Sequence, residues 1–307
     1  MVVHPPPPAD VPSLIEAYRE VLGAFVDTCD GLRAAEWDLP TACTGWTARD
    51  HLAHVVHIED HLTGGEHPVS GWSGADAGQP SIEVGRPEHV RNDFGGWVEE
   101  GVRARADRSP DELLAELRGL IEVRVAQMYD PDLELDTPVR SVRGEQAEFG
   151  QLVELRLSDV WVHTQDRRTA LDRPGALDSP GAAVFTAAVL AAVPRVVARR
   201  VSPPVGTVVI VESTGPVTGR GGVRITTDAD GEPVAHELFT GHVEEHEEGE
   251  ASSPEDQPEE AVTTIALSTH ELTRRAAGRQ STEDTAYQVH GDEDLARRVL
   301  DALVLTP

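Results

Sequence analysis

Gly45-Trp46-Thr47-Ala48-Arg49-Asp50-His51-Leu52-Ala53-His54 and Asp159-Val160-Trp161-Val162-His163-Thr164-Gln165-Asp166 both read as helix, and both place ionisable residues where a helix should bury apolar ones. In the first, Thr47 with Asp50 three residues on resembles a capping box, so a helix opens there and runs to about Leu62, before Thr63-Gly64-Gly65. In the second, Asp159 and His163 are four apart and share a face with Leu152, Leu155 and Ala170. An otherwise apolar stripe is thus broken by a carboxylate and an imidazole. An unpaired buried carboxylate is costly, and a cation removes that cost. Two imidazoles and one carboxylate, with an open fourth position, commonly hold a catalytic divalent metal. A core His hydrogen-bonded to an adjacent Asp fits the same spacing. Four histidines crowd the first helix, His51, His54, His57 and His61, and spacing alone does not choose among them.

Working outward, the first 174 residues are a run of helices. Residues 1–10 carry a proline run and are expected to be disordered; apolar residues then recur at helical spacing from Leu14 to Phe25. Residues 64–86 are rich in Gly and Pro and read as a loop, with a helix over about 88–106 beyond it. Ser109-Pro110-Asp111-Glu112 opens another helix with a cap, a first-turn Pro and acids facing the dipole. A long helix over about 148–171 ends before Arg173-Pro174-Gly175.

The pattern changes after Pro174. A helix over about 180–200 precedes strands at Thr207–Val211, Val223–Thr226 and Thr263–Leu267, a helix at about Thr269–Ala277, a short strand Tyr287–Val289 and a closing helix Asp292–Leu303. The fold class is therefore α followed by α+β: a helical bundle over 11–174 and a small α+β domain over 175–307. Within the second, His242–Glu260 holds nine Asp or Glu and no Arg, the composition of a disordered, solvated insertion.

Composition excludes several function classes. The formal net charge of −28 repels phosphate backbones and anionic lipid, against nucleic-acid and membrane partners. The run Pro180–Pro194 is nearly uncharged but short for a bilayer, and no secretory signal opens the chain, so a cytoplasmic protein is expected. Cys29 and Cys43 are too few for a disulfide framework, and neither lies near a Cys or His at zinc-finger spacing. Absent Lys, with abundant Ala, Arg, Gly and Pro, points to a GC-rich genome such as an actinobacterium's. No phosphate-binding Gly loop and no Gly-x-Ser-x-Gly elbow is present.

Residues 41–54 resemble the "PTPCPGWTVRDLVAHL" segment of the mycothiol-dependent maleylpyruvate isomerase family, and residues 155–171 its "DLWVHEQDIRRAL" helix. Ala276-Ala277-Gly278-Arg279 and Val289-His290-Gly291-Asp292 are similar to its "L-x-x-GR" and "V-x-GD" segments. The resemblance implies a DinB-like four-helix bundle followed by a sterol-carrier-like domain. It assigns the metal to His54, Asp159 and His163, with Asp159 standing where the characterised isomerase has Glu, and it gives Arg279 a part in the reaction. It further implies zinc or another divalent metal, mycothiol as the low-molecular-weight thiol, and a small electrophilic substrate. The expected activity is thiol addition, as an isomerase or as an S-transferase. A non-catalytic metal- or ligand-binding protein and a metal-assisted hydrolase are the alternatives. Gln165 and Asp166, one turn beyond His163, are candidate supports for the ligands or else a solvated helix face.

Overall fold

The computed structural model describes residues 2–65, 87, 89–228, 231–240 and 261–305, so most of the 64–86 loop and all of the acidic segment 242–260 lie outside the described residues. The chain divides into two compact units, Pro8–Ala176 and Met1–Pro7 with Leu177–Pro307.

The first unit is helical, with α1 (Val11–Asp27), α2 (Ala34–Trp37), α3 (Ala48–Leu62), α4 (Asp93–Arg103), α5 (Pro110–Met128) and α6 (Phe149–Ala170). The sequence's start signals are used as written. Thr47 accepts from the Asp50 amide while Asp50 caps Thr47 N at 2.8 Å, and Ser109 and Glu112 do the same for α5. Helix α1 buries Leu14, Ile15, Tyr18, Leu22 and Phe25, one stripe at helical spacing, against α6 and α5, while α3 packs on α5, α4 and α6. Between α5 and α6 a small antiparallel hairpin, β2 (Pro138–Arg140) with β3 (Gln146–Glu148), leads into α6. Helix α6 does not carry the simple apolar stripe expected of it. Leu155 is 55% exposed, whereas Val160 through Arg167 is buried without a break, because this half of the helix is covered on several sides.

Arg167 explains part of that cover. Fully buried, it donates to Thr28 Oγ1 at 3.0 Å and to the carbonyls of Thr28 and Ala48, and it lies over the rings of Phe25 and Trp37. One side chain of α6 thereby satisfies backbone at the end of α1 and the start of α3, fixing the three helices that build the site below.

The second unit has a sheet in the order β1-β5-β4-β7-β8, with β6 also on β5: β1 (Val3–His4), β4 (Thr207–Thr214), β5 (Thr218–Thr227), β6 (Pro233–Leu238), β7 (Ala261–Leu267) and β8 (Tyr287–His290). All pairings are antiparallel except β4 with β7, which run parallel from Thr207↔Ala261 to Ser213↔Leu267. Helices α7 (Pro180–Val196), α8 (Thr269–Ala276) and α9 (Glu293–Ala302) complete the unit.

Two expectations are corrected here. Residues 3–4 are not disordered: Val3 is buried and pairs with Gly219 on the free edge of β5. The helix from Pro180 continues as a π-helical turn to Val201, so it is long and apolar enough by composition to cross a membrane; most of it is buried, and α7 packs on β5. Gly221 permits that packing, since a Cβ there would lie 2.3 Å from the Leu190 carbonyl oxygen.

Candidate metal centre

The site starts with a turn. Thr41 N donates to Trp46 O at 3.1 Å and Trp46 N to Cys43 O at 3.0 Å, a closure that needs Gly45 at φ +86°. The turn sets Trp46 against the first two turns of α3, its ring centroid 5.6 Å from that of His51 and 5.0 Å from that of His54. Trp46 Nε1 donates to Glu99 Oε2 on α4 at 3.0 Å, which fixes the ring.

Helix geometry then sorts the four histidines of α3. His51 and His54 point at α6, whereas His57 and His61 pack on the Trp97 ring at 4.5 and 5.0 Å, away from it. His54 Nε2 lies 3.2 Å from Asp159 Oδ2, and His163 Nε2 lies 3.5 Å from Asp159 Oδ1. One donor atom from each of His54, Asp159 and His163 falls within 4.8 Å of the others. Both imidazoles are buried, while Asp159 is 31% exposed and opens the cluster outward.

The electrostatics suit a cation. Burial pushes His54 down to about 4 against the pull of Asp159, so it is neutral and offers a lone pair across the neutral range. Burial alone would raise Asp159, but Arg156 and the two imidazoles outweigh it and hold the carboxylate well below its usual range. Burial would lower His163 too, yet Asp159 and Asp166 bring a net rise. His54 Nδ1, buried, has no hydrogen-bond partner among the described residues. A neutral imidazole, an ionised carboxylate and a second imidazole form a donor set that fits a divalent ion.

Behind these three stands a network absent from the sequence reading. Arg156 donates to Asp159 Oδ2 at 2.6 Å and, through Nε and Nη2, to Glu59 Oε1 at 3.0 and 2.8 Å. Tyr18 OH donates to the other oxygen of Glu59. Glu59 is fully buried, Arg156 4% exposed. The only signal in the sequence was an Arg three residues before Asp159, which looks like any exposed helical pair until Glu59 is placed opposite it.

Of the two candidate supports, Asp166 is buried with Oδ2 3.5 Å from His163 Nδ1, while Gln165 is buried elsewhere, donating to Gly175 O at 3.1 Å. Neither is a solvated helix face. Cys43 has no Cys or His partner at zinc-finger spacing in the sequence, yet the turn brings its Sγ within 4.8 Å of donor atoms of His51, His163 and Asp166. Arg279 sits in the other unit just beyond α8, its Nη1 donating to Ala277 O at 2.9 Å.

The helical unit can now be placed among known proteins. Residues 18–168 match the family described as the mycothiol maleylpyruvate isomerase N-terminal domain, and this part of the chain belongs to that family. The fold is similar to a crystal structure of the mycothiol-dependent maleylpyruvate isomerase, with 14% identity and a TM-score of 0.52 over 92% of this chain and 94% of that one. A crystal structure of a histidine-to-alanine mutant of that isomerase matches at 13% identity and a TM-score of 0.51, over 91% of this chain and 92% of that chain. No protein of curated function matches the chain by sequence.

Proposed function

We propose that this chain is a metal-dependent enzyme that uses mycothiol to isomerise a small maleylpyruvate-like electrophile, with His54, Asp159 and His163 as the metal ligands. The observation that carries the reading is the convergence of those three donors within 4.8 Å on a domain of this family. Zinc is the ion whose common donors match two imidazoles and a carboxylate. The helical unit is read as a DinB-like four-helix bundle of α1, α3, α5 and α6, supported by the packing of α1 on α6 and α5, and of α3 on α5 and α6. The second unit is read as the sterol-carrier-like domain.

A divalent metal held there would keep a bound thiol as thiolate at neutral pH. The protein's own residues prepare for it. Arg156 keeps Asp159 ionised and in one orientation, and the Tyr18–Glu59 pair holds Arg156 in turn. Asp166 and His51 fix the His163 ring from its Nδ1 side, leaving Nε2 toward Asp159. Trp46 walls the cluster and limits water around the buried imidazoles. Arg279 is proposed to act on the substrate, and the Arg279→Ala variant should lose turnover while keeping its metal.

The assay is consumption of a cis enedioic substrate of the maleylpyruvate class with and without mycothiol, before and after chelation. Conversion to the trans isomer that needs both thiol and metal supports the reading. A stable mycothiol adduct moves it to an S-transferase. Turnover without thiol makes it a hydrolase, and no turnover with either leaves a binding protein.

A further inference from the structure

The three-residue cluster has a neighbour. Cys43 Sγ, a nitrogen of His51, a nitrogen of His163 and a carboxylate oxygen of Asp166 all lie within 4.8 Å of one another. His51, His163 and Asp166 are buried and Cys43 half-buried, so the group is not a chance meeting of surface side chains. The four residues come from the turn before α3, from α3 itself and from α6.

We propose that Cys43, His51, His163 and Asp166 form a second cation seat, selective for soft divalent ions of the cadmium class over zinc, which shares His163 with the first. The proposal is structural and stands apart from the activity assigned above; only its consequence for turnover rests on that reading.

The geometry is close to what such an ion needs. Zinc–nitrogen bonds of about 2.0–2.1 Å and zinc–sulfur bonds of about 2.3 Å put neighbouring tetrahedral donors roughly 3.3–3.8 Å apart, and a larger soft ion spreads them a few tenths of an ångström further. His163 Nδ1 lies 3.5 Å from Asp166 Oδ2 and 2.9 Å from His51 Nδ1. The first pair is close to that range, and the second, at hydrogen-bond distance, has to open by roughly 0.5–1 Å for an ion to replace the proton between the rings. Thr41 Oγ1, 2.8 Å from His51 Nε2, holds that ring so that Nδ1 faces the cluster. Thiolate sulfur sets the preference: it favours soft ions, whereas the first seat offers only nitrogen and oxygen. Binding changes no oxidation state. The Cys43 thiol proton and the proton between the imidazoles leave to solvent, and the new bonds are metal–sulfur, metal–nitrogen and metal–oxygen.

His163 makes the two seats compete. Its Nε2 faces Asp159 and its Nδ1 faces His51 and Asp166. A neutral imidazole has one lone pair to give, so a soft ion that takes Nδ1 withdraws His163 from the first seat. Soft ions thereby act as inhibitors through Cys43.

The test titrates metal-free full-length protein, cleared of small thiols, with Cd2+ and follows thiolate-to-cadmium charge-transfer absorption. The band should rise to about one equivalent in the parent, persist in His54→Ala and vanish in Cys43→Ser. It should also vanish when Cys43 of the folded parent is alkylated before titration, which removes any question of the variant's folding. A parent without the band, or a band that survives both Cys43→Ser and alkylation, overturns the proposal. Failure of the first seat is read separately: His54→Ala that takes up as much zinc as the parent sinks that ligand set and leaves the cadmium band unaffected.

Discussion

Arg156 reaches Asp159 across one helical turn at 2.6 Å while its remaining nitrogens close on Glu59, so one buried guanidinium balances two carboxylates. Burial would lower its affinity for the proton, but Glu59 and Asp159 reverse that and keep it charged. Removing one member leaves a buried charge without a partner, at about 3–5 kcal/mol. Arg156→Met should cost that much in chemical denaturation, and Glu59→Gln added to it should restore a large part. Equal stability of parent and single variant would show that the network carries no load.

His163 belongs to both donor sets, which makes it the most sensitive of the proposed ligands. His163→Ala should abolish stoichiometric metal uptake by elemental analysis, and His54→Ala should lose zinc but not cadmium. His57→Ala, on the Trp97 side of α3, should keep its metal. Full zinc content in the His163 variant would remove the site.

The two cysteines should differ sharply in reactivity. Burial pushes the Cys29 thiol up to about 11, only partly opposed by Arg167, so it stays protonated and covered. Folding thus favours the protonated thiol: its contribution to stability is present below 9.0 and is lost as pH rises toward about 11. Alkylation of the native protein near pH 8, read by mass spectrometry, should label Cys43 and spare Cys29, with Cd2+ protecting Cys43.

Gly221→Ala would drive a methyl group to 2.3 Å from a main-chain oxygen of α7. Since backbone must move, a loss of about 1–3 kcal/mol is expected in the second unit. Metal content should not change, which separates this lesion from one at the centre.

Much of this was legible in the chain. Helix starts at Thr47 and Ser109 were readable because a cap is a local interaction between residues three apart. The pairing of Asp159 with His163 was readable for the same reason. What was hidden depends on long-range placement. Whether His51 or His57 faces α6 is set by how α3 rotates, and Glu59, 97 residues from Arg156, gives no sign of their pairing in its own neighbourhood. Leu155 misled because period alone does not say where along α6 the cover begins. Strand β1 was lost to a proline-rich context that suggests disorder.

His54 and Asp159 meet across 105 residues of chain. An ion bound between them is a cross-link that only the native topology can make, and the unfolded chain has nothing equivalent to offer it. Occupancy of the centre therefore doubles as a readout of whether α3 and α6 are docked. Chelation should lower the melting midpoint of the helical unit and speed its proteolysis, and refolding should regain metal only after that long loop has closed.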